Sequence, residues 1–172
     1  MTIGLVGNWT AKSGLLVRQG SENAKPVSQS AKVREILSMV GTNPTILDRT
    51  KMDSLQLFKQ VKGFDPTNIS AKQLGNMSTF LKQNGIIGDV TALTLLNAGD
   101  KFDKFGIPND PDAKFNALDY FATQLDSIQN NNLKGNKYAN YLVPEFKKAI
   151  YVLQNLKTYG EGNGTTVKKK DK

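Results

Sequence analysis

The stretch Ile69-Ser-Ala-Lys-Gln-Leu74 carries the clearest structural signal in this sequence. A serine followed three residues later by a glutamine is a capping box, in which each side chain accepts a hydrogen bond from the other residue's backbone N–H at the start of a helix. Ile69 and Leu74 stand on either side of this box, where two apolar side chains pack together as a hydrophobic staple. The stretch therefore predicts a helix that begins directly after Ser70.

The residues that follow predict a helical hairpin. Apolar side chains at helical spacing continue almost to Gly85, and glycine readily adopts the left-handed conformation that ends many helices. Asp89 is then placed to cap a second, short helix, whose apolar side chains are Val90, Leu93 and Leu96. Two helices joined by a short glycine-containing loop form an αα-hairpin.

Four further helices are predicted outside the hairpin from apolar residues at i, i+3, i+4 and i+7. Thr50 and Asp53 resemble a capping box for one of them, and Asp110-Pro111 places a cap before a proline that suits a first helical turn. Pro144 either starts the main part of the last helix or kinks it. No segment shows a strand pattern of comparable quality. The sequence predicts an all-α fold, a single small bundle of five or six helices over residues 31–159, with helices outside the hairpin near 30–40, 51–62, 110–129 and 138–159.

Two segments outside the bundle lack a sustained period and are predicted to be flexible. Residues 1–30 form an N-terminal arm, in which Trp9, the single tryptophan, either anchors the arm on the bundle or contacts a partner. Residues 160–172 form a disordered, basic tail. Each segment carries +2 of the formal net charge of +8, so half of the excess lies outside the bundle. A tail of this kind is usually a mobile, solubilising end, and the net charge alone does not predict a nucleic-acid or membrane contact.

The composition excludes most catalytic and metal-binding chemistry. The 172 residues include no cysteine and no histidine, which removes thiolate nucleophiles, disulfides, zinc fingers and imidazole bases. No apolar stretch approaches the roughly 20 residues of a membrane-spanning helix. We therefore expect a cytoplasmic protein that is not an enzyme and needs no cofactor. A cysteine-free chain with a polar arm would also suit export through a flagellar-type channel, which passes unfolded chains.

A calcium-binding helical protein is one alternative, because a single loop could supply oxygen ligands. When the loop is aligned on Gly106 as the turn glycine of an EF-hand, however, Lys101 and Phe105 fall at ligand positions. Asp110 is also suited to capping the helix that follows. The sequence therefore favours a solvated, capped loop without a metal. The oxygen-bearing side chains lie within residues 100–112 and are Asp100, Asp103, Asn109, Asp110 and Asp112.

A basic protein that binds nucleic acid without sequence specificity is the other alternative. Lysines on two predicted helices support it: Lys59, Lys62, Lys147, Lys148 and Lys157. The scarcity of arginine argues against readout of base edges, which favours the bidentate guanidinium. Tyr138, Tyr141, Tyr151 and Tyr159 fit the core and rim of the last helix better than platforms for base stacking.

Residues 65–96 resemble a pattern found in small uncharacterised helical bacterial proteins. The shared residues are Asp65-Pro-Thr-Asn-Ile-Ser70, followed by Leu74, Leu81, Gly85 and Ile87. Some of those proteins are associated with flagellar or secretion loci, so the resemblance implies a helical fold and a role in assembly or export. It carries over no functional site, because the shared residues are capping and core residues.

These observations favour a non-enzymatic protein–protein interaction module, such as an adaptor, a chaperone or an assembly or export component. Its partner is then another protein. We expect the contact surface either in the arm, at Trp9, or on the hairpin over residues 69–96, with Ile69, Leu74, Ile86 and Ile87 as candidate contact residues.

Overall fold

The computed structural model describes residues 30–99, 102, 105–107, 109–130 and 133–162. Trp9 and nearly all of the two predicted tails lie outside these residues. Five helices of eight residues or more confirm the predicted all-α bundle within the described part. In chain order the elements are α1 (Ala31–Val40), α2 (Arg49–Ser54), α3 (Phe58–Val61), β1 (Ile69–Ser70), α4 (Ala71–Gln83), α5 (Asp89–Leu96), β2 (Lys114–Phe115), α6 (Ala117–Gln129), α7 (Lys137–Asn140) and α8 (Val143–Glu161).

The longest helix, α8, is the centre of the bundle. Helices α3, α5 and α6 all pack against it, and α1 packs against α6. Phe121 and Leu125 of α6 and Leu95 of α5 belong to the same core cluster as α8. Burial of these side chains is the main stabilising contribution, since each large aliphatic or aromatic side chain contributes about 1.5–3 kcal/mol when fully buried. Six hydrophobic side chains of α8 are buried: Ala149, Ile150, Val152, Leu153, Leu156 and Tyr159.

The capping box at Ser70 forms as predicted. The Gln73 backbone N–H donates to Ser70 Oγ at 3.1 Å, and the Ser70 backbone N–H donates to Gln73 Oε1 at 3.1 Å. Helix α4 ends at Gln83, and Gly85 follows with φ of 68°. The predicted first helix is also confirmed, since Ser30 caps α1 by accepting from the Val33 backbone N–H at 3.1 Å.

The predicted helix over residues 51–62 is interrupted. Gln56 has a φ of 56°, so the chain leaves the right-handed conformation between α2 and α3. The interruption turns Leu55 outward, where it is 44% exposed, and brings Leu57 into the core at 4%. The capping residue also differs from the prediction, because Asp48 and not Thr50 accepts from the Lys51 backbone N–H at 2.9 Å. Burial of Leu57 in the core thus takes precedence over a continuous helix with Leu55 on its inner face.

The predicted start of a helix at Asp110-Pro111 is wrong. Asp110 Oδ1 instead accepts from the Asp112 backbone N–H at 2.9 Å within a turn. The chain then pairs as β2, antiparallel to β1, with Ile69 opposite Phe115. Helix α6 begins only afterwards, with Asn116 as its cap. This short ladder provides hydrogen-bond partners for the backbone of β1, which leads into α4. Because β1 is buried, its backbone groups would otherwise have no partners.

The last predicted helix consists of two parts, and Pro144 starts the second. The proline lies in the first turn of α8, where its missing N–H costs no hydrogen bond. The helix does not end at Gly160 as predicted but continues through it to Glu161. A Cβ at Gly160 would collide with the Val61 carbonyl oxygen, so this glycine permits the close approach of α8 to α3. No helix in the described part of the chain is both long enough and apolar enough to cross a membrane.

Candidate interaction surface

The α4–α5 hairpin is held together by small and polar residues. Ser78 on α4 is buried, and its hydroxyl donates to the Ala92 carbonyl oxygen of α5 at 2.7 Å. A Cβ at Gly75 would lie 3.0 Å from Leu96 Cδ1, so the missing side chain makes room for this leucine. The two helices therefore approach closely, and a buried interhelical hydrogen bond holds them in position.

Two further contacts tie the loop of the hairpin. Lys82 Nζ lies 3.4 Å from Asp89 Oδ1, across the loop between the helices. Lys51 of α2 donates from Nζ to the Gly85 carbonyl oxygen at 3.0 Å. Asp89 is the first residue of α5 and its predicted role as side-chain cap is wrong, since Gly88 occupies the capping position. The hairpin is thus fixed to the bundle at its loop as well as along its length.

Helix α5 presents apolar side chains on both of its faces. The apolar Ala92 and Leu95 face the bundle and are buried, together with the polar Thr91. On the outer side, Val90 is 59% exposed and Leu93 is 57% exposed, with Leu96 beside them at 44%. A helix that is apolar all round is normally buried on all sides. We call Val90, Leu93 and Leu96 the outer face of α5.

The structure separates the candidate contact residues of the hairpin into two groups. Ile69 is 5% exposed and Leu74 is 1% exposed, so both lie in the core and support the hairpin from within. Ile86 and Ile87 are half-buried and pack against the core at the loop. Trp9 lies outside the described residues. Apolar character thus pointed to the hairpin, but it did not identify the side chains that reach solvent.

The outer face of α5 could have been suspected from the sequence. Within residues 89–96, apolar side chains occur at every position except Asp89, Thr91 and Thr94. Such a helix has more apolar surface than a single contact with the bundle can cover. Which of its sides is covered depends on where α4 and α8 lie, and this information is absent from the periodicity of α5 itself.

The loop considered for calcium has no metal cluster in its described part. No group of three acidic residues that could hold a metal ion occurs within the residues given above. Asp110 accepts a backbone hydrogen bond, and Asp112 Oδ1 lies 3.8 Å from Lys72 Nζ. Asp100 and Asp103 lie outside the described residues.

A polar pair joins the buried Tyr159 to the half-buried Asp53 near the junction of α2, α3 and α8. The Tyr159 hydroxyl donates to Asp53 Oδ1 at 2.8 Å, and the Arg49 guanidinium lies 5.8 Å from the centre of the Tyr159 ring. Two causes raise the pKa of Tyr159 to about 12: burial of the phenol, which is the larger, and its hydrogen bond to Asp53. The phenol therefore stays protonated near neutrality, and the pair joins α8 to α2 as a structural contact.

Comparison with known proteins gives no relative for this chain. No family model, no curated protein and no solved structure matches it.

Proposed function

We propose that the protein is a non-enzymatic protein–protein interaction module, which acts as an adaptor, a chaperone or an assembly component. The outer face of α5 binds an apolar helix of another protein. The observation that carries this proposal is the exposure of Val90 and Leu93 on a helix whose other side is buried. Residues 65–96 resemble small uncharacterised helical bacterial proteins, some of which are associated with flagellar or secretion loci, and this resemblance supports an assembly or export system as the setting.

The size of the face favours a helix as the bound element. Three partly exposed aliphatic side chains offer an apolar area on the order of a few hundred Å². A stable contact between two folded domains buries about 800 Å² on each side. The face is therefore too small to be the whole interface of a homodimer. It does suit the apolar stripe of an amphipathic helix, which makes its main contacts with a few residues one turn apart.

The rigidity of the hairpin favours binding by lowering its entropic cost. A flexible surface loses conformational freedom when a partner orders it, and this loss reduces the affinity. The buried Ser78–Ala92 hydrogen bond holds α5 against α4 before any partner arrives. Covering the exposed parts of Val90 and Leu93 would then contribute about 1 kcal/mol for each side chain.

Site-specific photo-crosslinking in the native host tests the proposal. A photoreactive amino acid at position 93 samples the outer face of α5, and the same group at Met39 on α1, which is 76% exposed, provides the control. We expect one protein to be crosslinked from position 93 and absent from position 39. That protein, once purified, should bind at least about tenfold more weakly to Leu93→Ser, as expected for the loss of about 1.4 kcal/mol, and equally to Met39→Ser.

Two results would contradict this function. The first is an identical set of crosslinked proteins from both positions, because it would show that the face has no selectivity. The second is a crosslinked product that consists of two copies of this chain, because the face would then serve self-association.

A further inference from the structure

A second exposed surface lies between α6 and α8, and its composition differs from that of α5. Tyr138 and Tyr141 are each 75% exposed, so the sequence prediction that they belong to the core and rim of the last helix is wrong. Lys137 directly precedes Tyr138 in the chain, Lys134 lies three residues earlier, and both are exposed. We call Lys134, Lys137, Tyr138 and Tyr141 the tyrosine–lysine surface.

The local backbone places the two tyrosines three residues apart on one turn. Asn136 Oδ1 accepts from the backbone N–H groups of Tyr138 and Ala139, both at 2.9 Å, and so fixes the start of α7. The Tyr141 backbone N–H donates to the Tyr138 carbonyl oxygen at 3.3 Å. Residues three apart in such a turn have Cβ atoms about 5–6 Å from each other. Two neighbouring aromatic rings therefore project from one short, capped turn.

The chain segment that carries these rings has charge of one sign. No acidic residue occurs in the sequence from Ser127 to Pro144, whereas Lys134 and Lys137 lie within it. Lys137 Nζ lies 5.9 Å from the centre of the Tyr138 ring, close enough for a cation–π contact. Glu145, the next acidic residue, has its Oε1 atom 3.8 Å from Lys148 Nζ. Positive charge beside exposed aromatic rings is the combination with which proteins bind single-stranded nucleic acid.

We propose that the tyrosine–lysine surface binds single-stranded nucleic acid without sequence specificity. Two successive bases stack on Tyr138 and Tyr141, and the ammonium groups of Lys134 and Lys137 contact the flanking phosphates. Stacking of this kind accepts any base, so it needs no arginine for readout of base edges. The proposal goes beyond the protein contact at α5, because it uses different residues. Its ligand is negatively charged, opposite in sign to Lys134 and Lys137, whereas the ligand of α5 is apolar.

Fluorescence anisotropy of the full chain with labelled 12-mers of thymidylate and uridylate at low salt tests this proposal. Tyr138→Ala and Tyr141→Ala should each weaken binding about tenfold, within the range measured for loss of one stacked base. Tyr138→Phe and Tyr141→Phe keep the ring and should bind within about twofold of the parent chain. Lys134→Gln and Lys137→Gln should each lower the slope of log affinity against log salt by about 0.7.

Three controls separate this site from general attraction by positive charge. Lys59→Gln removes one charge from α3, which packs near Gly160 at the other end of α8. The affinity should stay within about twofold at 0.1 M salt, because charges are screened there beyond about 10 Å. A second control measures how much the basic C-terminal residues contribute to the oligonucleotide affinity, by replacing four lysines with glutamine: Lys168, Lys169, Lys170 and Lys172. Ultraviolet crosslinking of the unaltered chain to a 4-thiouridine oligonucleotide, followed by peptide mapping, locates the contact without any substitution.

The expected crosslinked peptide contains Tyr138 or Tyr141. Crosslinks that map only to other peptides would overturn the proposal. It would also be overturned if replacement of the C-terminal lysines abolished binding while Tyr138→Ala and Tyr141→Ala left the affinity unchanged. Loss of binding to vesicles of anionic phospholipid in the alanine variants, with unchanged oligonucleotide binding, would assign the surface to membranes and overturn it as well.

Discussion

Helices α5 and α8 are both rich in apolar residues, but they use them differently. Helix α8 is surrounded by α3, α5 and α6, and its large side chains such as Leu153 and Leu156 are removed from solvent. Helix α5 packs on α4 and α8 with one side only and leaves Val90 and Leu93 exposed. The comparison shows that apolar content identifies surfaces that can be buried, while the neighbouring helices determine which surfaces are buried within this chain.

The largest expected effect separates the two faces of α5. Leu95 is 1% exposed and Leu93 is 57% exposed, and the two leucines lie on one helix. Leu95→Ala leaves a cavity in the core and should lower the free energy of unfolding by about 2–5 kcal/mol. Leu93→Ala should lower it by less than about 0.5 kcal/mol, since exposed positions tolerate truncation. Urea denaturation of both variants measures the difference. Equal losses would show that the outer face is already covered in the isolated protein.

The next effect concerns the close contact of α8 with α3. Gly160→Ala places a methyl group against the Val61 carbonyl oxygen, which is backbone and cannot rotate away. We expect a loss of about 2–3 kcal/mol in the free energy of unfolding, at the upper end for overpacked sites. Gly88→Ala is the matched control for space, because its new Cβ would have no atom within 4 Å, and it should cost no more than about 1 kcal/mol, from the lower preference of alanine for a capping position. Thermal and urea unfolding of the two variants should differ clearly, and a tolerated Gly160→Ala would contradict the close packing described here.

The smallest expected effect is a pH dependence of the free energy of unfolding, caused by Tyr159 near the C-terminal end of α8. The phenol of Tyr159 has a pKa of about 12 in the folded chain against an ordinary value of 10.0. Because the unfolded chain loses this proton first, the Tyr159 contribution is complete below pH 10 and declines as the pH rises to 12. The decline cannot exceed about 2.7 kcal/mol, which corresponds to two pKa units. Tyr159→Phe should remove this component from urea unfolding measured between pH 9 and pH 12, and an identical pH profile for the variant would refute it.

Among the predicted helix caps, the box at Ser70 is confirmed, whereas the predictions at Thr50, Asp89 and Asp110 are wrong. Ser70 and Gln73 form their box because both groups lie within one turn, so four consecutive residues contain all the participants. The prediction for Asp110 failed for the opposite reason. An aspartate before a proline suits a helix cap and a turn equally well, and the pairing of Phe115 with Ile69, which lies far away in sequence, selected the turn.

The candidate sites show the same division. Sequence reasoning singled out the hairpin but chose Ile69 and Leu74, which are buried, together with Ile86 and Ile87 at its loop. It assigned Tyr138 to the core or rim of a helix, whereas this side chain is 75% exposed on a separate short turn. A helical period states which residues share a face, but it does not state whether another helix covers that face.

The sequence by itself determined the all-α class, the boundaries of α1 and α4 and the absence of thiol and imidazole chemistry, because these depend on local hydrogen bonds and on composition. Only the tertiary structure decided that Leu95 lies inside and Leu93 outside, that Gln56 interrupts a helix and that Gly160 meets Val61. These outcomes depend on contacts between segments distant in the chain, where burial of one side chain competes with burial of another. The proposed contact surfaces belong to this second group, since a surface is defined by the neighbours that do not cover it.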